Sequence, residues 1–361
     1  MKKILILTNH SFMLWQFRRE LIGAILEKGC AVTIGMPKGD HWEDFEAMGC
    51  HLIEVDVDRR GINPVTDAKL FLRYWKLLKA QKPDMVVTYS IKPNIYGGFA
   101  CRMQKIPYCV NVQGLGSAFE KAGIAQLVTL LYRVAVKKAK TVFFENAGNA
   151  AIFRDKGITP QKQQTILNGA GINLTHYSLQ SYPDNPVVHF LYLGRIMKEK
   201  GMDELFCAVR RLHSEGKPFF LDLVGFYEEG YKGQVEELEA MGISKFHGFQ
   251  SDPRPYYAAA DCVVLPSYHE GMSNVLLEAA ATGRPLITSQ IPGCQEAVDD
   301  NITGLLCPAR DENGLYDALV QMLDTSKVDR AAMGIAGREK MQRQFDKTKV
   351  VEQTITAIFE Q

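Results

Sequence analysis

Two glutamates, Glu270 and Glu278, stand with seven residues between them in Pro266-Ser267-Tyr268-His269-Glu270-Gly271-Met272-Ser273-Asn274-Val275-Leu276-Leu277-Glu278-Ala279. The apolar run 262–265 just before this segment reads as a buried strand, and 274–281 has helix-forming composition. Glu270 therefore falls in a strand-to-helix loop. The backbone amides of Gly271, Met272, Ser273 and Asn274 would crown the helix N-terminus, a natural seat for an anionic or polar ligand. Glu278 would lie on the first turn or two, where a carboxylate can accept two hydrogen bonds from a vicinal diol such as that of a ribose. On the residues alone, the alternative is that Glu270 caps the helix and Glu278 is solvated.

Such a loop needs a sheet to hold it. Short apolar runs at 4–7, 31–34, 52–55, 85–88, 108–112, 141–144 and 165–167 read as strands buried on both faces. Helical patterns at 14–28, 66–81 and 124–138 lie between them, and this alternation predicts a doubly wound parallel sheet. A polar break with Pro183 and Pro186 follows, and the alternation restarts with strands at 187–193, 219–224, 245–247, 262–265, 285–288 and 305–307. The fold class is α/β, with one Rossmann-like domain at 1–170 and a second at 171–344, joined by a linker near 168–186. The charged, helical end of the chain, about 345–361, is expected to return to the first domain. Two such domains facing each other would form a central cleft, with function concentrated just after the strands.

Bulk properties narrow the class further. The chain has 361 residues, 42 Lys plus Arg against 41 Asp plus Glu, and a net charge of +1. That balance argues against a dedicated nucleic-acid binder. None of the eight cysteines forms a CxxC pair, and no His cluster has zinc-ligand spacing. Reduced thiols in a cytoplasm are the expectation. Four apolar residues, Ile4 to Leu7, follow Met1-Lys2-Lys3, too short a run for a signal peptide. No stretch approaches the roughly 18 apolar residues of a spanning helix.

The glutamate pair is followed by Thr282-Gly283-Arg284-Pro285-Leu286-Ile287 and Gly293-Cys294-Gln295-Glu296-Ala297-Val298, and preceded by Leu191-Tyr192-Leu193-Gly194-Arg195-Ile196-Met197-Lys198-Glu199-Lys200-Gly201. In that order these motifs resemble the retaining family 4 glycosyltransferases of the GT-B fold. The resemblance covers essentially the whole chain and is strongest over 187–308. It implies that the segment around Gly194 is a donor-phosphate loop, with Arg195 and Lys200 as a cationic clamp on the diphosphate of a nucleotide sugar. It further implies that Glu270 contacts the donor sugar, that Gly271, Met272, Ser273 and Asn274 meet its hydroxyls and phosphates, and that Glu278 holds the ribose. Cations placed where leaving-group charge develops need no metal. Neither a metal nor a cofactor is expected, the UDP-sugar being a substrate.

The first domain is then expected to hold the acceptor. Its first loop, Thr8-Asn9-His10-Ser11-Phe12, lacks the glycine pair that many relatives carry, and Gln113-Gly114-Leu115-Gly116 stands where many have a His. Neither a phosphate contact from that loop nor a catalytic His is carried over. Together with Thr88-Tyr89-Ser90-Ile91-Lys92-Pro93-Asn94-Ile95-Tyr96-Gly97-Gly98, this region is similar to bacterial enzymes that extend undecaprenyl-diphosphate-linked saccharides, N-acetylgalactosaminyltransferases among them. Lys92 is expected at an acceptor diphosphate, and Gln113, Gly114 and His10 in the acceptor site.

Two basic helices bear on a lipid-borne acceptor. Lys69, Arg73, Lys76 and Lys79 line one stripe beside Phe71, Leu72, Trp75 and Leu78; Arg133, Lys137 and Lys140 form a second set at i, i+4 and i+7. Such helices suit an anionic membrane surface, or else pack their apolar sides inward and solvate their charge. The resulting expectation is a retaining transferase moving a hexose or N-acetylhexosamine from a UDP-sugar to a lipid-linked saccharide, peripherally bound at the inner face of the cell membrane. The second reading is a nucleotide-sugar epimerase of the same fold. No GxGxxG follows the first strand, which sets a dinucleotide dehydrogenase aside.

Overall fold

A computed structural model describes residues 1–58, 63–115 and 122–360. The chain divides into two compact units, one formed by Met1–Ala170 with the segment from Thr348 onward, the other by Gly171–Lys347.

In the first unit β1 (Lys3–Leu7), α1 (Ser11–Glu27), β2 (Ala31–Met36), α2 (Trp42–Ala47), β3 (His51–Glu54), α3 (Pro64–Gln81), β4 (Met85–Tyr89) and α4 (Gly98–Gln104) come first. β5 (Tyr108–Val112), α5 (Ala122–Ala135), β6 (Thr141–Phe144), α6 (Ala147–Asp155) and β7 (Gln164–Ile166) complete the alternation. The sheet has seven strands in the order β3-β2-β1-β4-β5-β6-β7. Every pairing is parallel, as uninterrupted apolar strands covered on both faces require. One core layer packs Leu5, Leu7 and Val86 against Leu70, Tyr74 and Leu78 of α3. The other packs Ile4 and Ile6 against α1.

The second unit contains β8 (Val188–Ile196), α7 (Met202–Ser214), β9 (Phe219–Tyr227), α8 (Lys232–Ala240), β10 (Ser244–Phe246), α9 (Arg254–Ala259) and β11 (Cys262–Leu265). It continues through α10 (Asn274–Ala281), β12 (Leu286–Ser289), β13 (Gly304–Cys307), α11 (Glu312–Asp324) and α12 (Lys327–Lys340). Its six-stranded sheet runs β10-β9-β8-β11-β12-β13. Arg284, fully buried, donates to the carbonyls of Tyr257, Ser181 and Ala258. A charge so deep is tolerated because backbone oxygens satisfy it, and it ties the polar break, at Ser181, to α9. The closing helix α13 (Lys347–Phe359) sends Val350, Ile355 and Ile358 into the first unit's core. Lys140 Nζ also donates to the Ile358 carbonyl there, at 2.8 Å.

Strand order reverses between β1 and β4 in one sheet and between β8 and β11 in the other. The crevice beyond the carboxyl ends of strands at such a reversal is where open α/β sheets take ligands.

Two expectations change. The strand expected over 187–193 runs on to Ile196, so Gly194 and Arg195 sit in β8 itself and pair with Gly225 and Phe226 of β9, not in a loop after the strand. The paired glycines allow this: a Cβ on Gly225 would lie 1.8 Å from the Gly194 carbonyl oxygen. The helix expected over 124–138 stops at Ala135. Gln163 Nε2 takes the carbonyls of Val136 and Ala139 at 2.8 and 2.7 Å, which turns the chain there.

Candidate active site

In the second unit, β8 and β11 end side by side. After β8 a short 3-10 turn, Lys198–Lys200, ends at Gly201, whose φ is +75°. A Cβ on Gly201 would stand 2.1 Å from the Pro266 carbonyl oxygen, so only glycine lets this turn lie against the loop after β11. The Tyr268 amide closes the contact by donating to the Glu199 carbonyl at 3.0 Å.

The two loops thereby bring Lys200 to Glu270. Their side chains form an ion pair, each only 15% exposed, and the Ser267 hydroxyl donates to the same Glu270 oxygen at 2.9 Å. Arg195 is 43% exposed and meets Glu228 Oε2 at 2.6 Å. Its backbone carbonyl accepts the Tyr192 hydroxyl at 2.6 Å. Burial pushes the Tyr192 phenol well above its ordinary pKa, the Glu270 charge pushing the same way and Arg195 opposing it. One buried tyrosine thus lies within electrostatic reach of both.

The motif around Gly293 has a structural task. Its φ is +90°, and a Cβ there would lie 2.6 Å from the Gly271 carbonyl oxygen. The Gly293 carbonyl accepts the Ser273 amide at 2.8 Å, and its amide donates to Glu296 at 2.7 Å. Of the four amides expected at the head of α10, that of Ser273 is therefore engaged within the protein. Met272 and Ser273 are buried, Met272 in the apolar core, while Gly271 and Asn274 are half-buried. Gly194 lies one residue before Arg195 on β8.

Glu278 is neither solvated nor on an outer face. It is 7% exposed and accepts the Tyr257 hydroxyl at 2.8 Å; the Tyr177 hydroxyl bonds it as well. Burial raises its pKa to about 7, against the lowering influence of the two tyrosines and Lys347. The apolar face of α10 hides this burial, since Tyr177 and Tyr257 are remote in sequence.

The first unit carries a cavity of about 330 Å³ at its own reversal point. Asn9 lines it beyond β1, Ser90, Ile91 and Lys92 beyond β4, and Gln113 and Gly114 beyond β5; Asn94 and Tyr132 complete it. Gly116 of the same glycine-containing motif lies outside the described residues. His10, half-buried, does not line the cavity; its neighbour Asn9 does. Lys92, expected at an acceptor diphosphate, is paired within the protein. It pairs with Asp67 Oδ1 of α3 at 2.7 Å, their side chains 12% and 11% exposed, and the Tyr96 hydroxyl donates to Asp67 Oδ2 at 2.9 Å.

On α3, Lys69, Leu72, Arg73, Lys76 and Lys79 are exposed, Leu78 is buried, and Phe71 and Trp75 pack against the core. The second basic set is not a helical stripe. α5 ends before Lys137 and Lys140, and Arg133 donates to the Lys156 carbonyl. What α5 exposes instead is Leu127 and Leu130. Among the described residues no helix is long and apolar enough to cross a membrane.

Two doubly wound sheets, with paired charges at one reversal point and a polar cavity at the other, define an α/β protein suited to anionic and polar ligands. Residues 188–325 match the family described as Glycosyl transferases group 1, and residues 3–146 match Glycosyl transferase 4-like. The lipopolysaccharide core biosynthesis glycosyltransferase LpsE of Rhizobium meliloti is 30% identical over 354 residues, which is 93% of each chain. The N,N'-diacetylbacillosaminyl-diphospho-undecaprenol alpha-1,3-N-acetylgalactosaminyltransferase of Campylobacter jejuni is 26% identical over 342 residues, 89% of each chain. A solved glycosyltransferase from Rickettsia africae shares the fold, with a TM-score of 0.80 at 16% identity over 99% of each chain. The chain belongs to the group 1 (family 4) glycosyltransferases of the GT-B fold and is a transferase.

Proposed function

We propose that this enzyme transfers a hexose or N-acetylhexosamine, with retention of configuration, from a UDP-sugar to an undecaprenyl-diphosphate-linked saccharide. The carrying observation is the Lys200–Glu270 ion pair, held by the Gly201–Pro266 contact and the Ser267 hydroxyl at the reversal point of the second sheet. Lys200 and Arg195 would meet the donor diphosphate, and Glu270 the sugar. A donor would then exchange the internal partners Glu270 and Glu228 for phosphate oxygens, placing both cations where leaving-group charge grows. The anomeric C–O bond breaks towards the diphosphate, and an acceptor hydroxyl forms the new bond on the same face. Its proton passes to the departing phosphate oxygen, so neither a histidine base nor a metal is required.

The acceptor reading is supported by the undecaprenol-linked substrate named for the Campylobacter relative. For a membrane-borne acceptor, the exposed cations of α3 and the exposed leucines of α5 supply peripheral attachment at the cytoplasmic face. No finding favours the epimerase reading. Screening UDP-sugars with EDTA present, with and without an undecaprenyl-diphosphate-linked saccharide, tests the proposal. Acceptor-dependent UDP release supports it, and release that is the same with and without the acceptor contradicts it.

A further inference from the structure

We infer that Tyr268 is a positioning residue: tied to Glu204 and covered by Arg310, it holds the loop that carries Glu270 against the turn that carries Lys200. This rests on the transferase reading above and adds two groups to it, Tyr268 and Arg310, that act through Lys200 and Glu270.

The first argument is where Tyr268 stands. Ser267, the residue before it, donates to Glu270, and Glu270 lies two residues further on. The Tyr268 amide donates at 3.0 Å to the carbonyl of Glu199, the neighbour of Lys200. Rotation of the Tyr268 peptide therefore moves Lys200 and Glu270 relative to each other. A single backbone hydrogen bond contributes too little to prevent that rotation. The side chain has to do so.

The second argument is how the side chain is anchored. Its hydroxyl donates to both oxygens of Glu204, at 2.8 Å each, in the first turn of α7. Burial and the Glu204 charge push the phenol's pKa up, with Arg310 opposing, so the tyrosine keeps its proton and donates it. Glu204 is a firm partner. A carboxylate in the first turn of a helix is favoured by the helix dipole. Its neighbour Asp203 accepts the Tyr231 hydroxyl at 2.8 Å, so two tyrosines secure the same turn.

The third argument is Arg310. Its guanidinium lies 4.6 Å from the centroid of the Tyr268 ring, in cation–π reach. Arg310 stands in the connection between β13 and α11 at φ +61°, a conformation that costs a residue with a Cβ and suits glycine. It is exposed, so core packing does not call for an arginine there. Strain kept at such a position is offset by a task, and the ring beside the charged pair supplies one.

The test uses the full chain, with steady-state kinetics, thermal melts and peptide-resolved hydrogen exchange on the same variants. Tyr268→Phe keeps the ring and loses the Glu204 bond, and kcat should fall about tenfold with the donor KM within about twofold. Tyr268→Ala should fall further. Glu204→Ala should match Tyr268→Phe, and the doubly changed Tyr268→Phe/Glu204→Ala should lose no more than either, since both cut one link. Arg310→Gly separates position from stability. It relieves the backbone, so the thermal midpoint should hold or rise while kcat still falls about threefold. In Tyr268→Phe and Arg310→Gly the amides of 198–201 and 266–273 should exchange faster, with the two sheets unchanged. Wild-type kcat and exchange in Tyr268→Phe overturn the inference. So do additive losses in the double variant, or a midpoint in Arg310→Gly that drops in step with kcat. If wild type transfers sugar and both variants match it, this inference alone is wrong. If wild type transfers no sugar to any lipid-linked acceptor, the function reading falls; faster exchange confined to the two loops then still upholds the brace, and unchanged exchange overturns it.

Discussion

At Glu270 the carboxylate is shared between Lys200 and Ser267, so its charge is fixed in place before any donor arrives. Glu270→Gln keeps the shape and removes the charge, and should lower kcat by about 10²–10³ with the fold unchanged. Lys200→Ala should lose at least as much and also leave Glu270 half-buried without its cation. Steady-state kinetics beside circular dichroism checks both; near-normal turnover in either would remove that residue from its role. Glu278 makes a separate, signed prediction. Its folded pKa of about 7 lies above the ordinary 4.5. Between those values the unfolded chain has released the proton and the native protein still holds it, so stability falls as pH rises through that window and is flat above it. The full effect is about 3 kcal/mol. Glu278→Gln should abolish the slope, and urea unfolding at pH 5 and pH 8 should show the variant gaining on wild type at the higher pH. An equal difference at both pH values would refute this. Glu270 and Lys200 could be singled out in the sequence because their motifs stand in the order of the family resemblance, but their ion pair could not. Asp67 and Tyr257 were not, because each reaches its partner only through tertiary folding.

At the scale of elements, the central strands were legible because a parallel strand buried on two faces writes a continuous apolar stretch, whereas the edge strands β3, β7 and β10 are partly exposed and mix polar with apolar residues. Strand and helix ends were less legible. β8 outruns its apolar run because Gly194 and Gly225 let two backbones close up, and α5 falls short because Gln163 captures carbonyls from outside the helix. The contact between the Lys198–Lys200 turn and the loop after β11 is likewise a backbone matter. Gly201→Ala adds a Cβ 2.1 Å from the Pro266 oxygen and should part the two loops. It is expected to destabilise by about 2 kcal/mol and to cut kcat more than it raises the donor KM, as thermal melts and kinetics would show. Normal turnover in this variant would mean the loop contact does not position Lys200. On the membrane-facing reading, neutralising Lys69, Arg73, Lys76 and Lys79 should weaken binding to anionic vesicles by about 1 kcal/mol per charge. Leu127→Asp should weaken it further. Unchanged sedimentation with vesicles in both would remove α3 and α5 from that role.

Across the whole molecule, the net charge of +1 leaves no global field, so recognition has to come from local arrangements. Each unit supplies one at the reversal point of its own sheet: cations paired with carboxylates in the second unit, a polar cavity in the first. The sequence carried the class of chemistry through the motifs of its second half; the Lys92–Asp67 pair at the first unit's cavity is announced by no local pattern. The most direct measurement is UDP release from a panel of UDP-sugars in EDTA, with an undecaprenyl-diphosphate-linked saccharide added or withheld. Release that requires the lipid-linked saccharide, and vanishes in Lys200→Ala, is the predicted result. Release that ignores the acceptor, or persists undiminished in Lys200→Ala, would contradict the account.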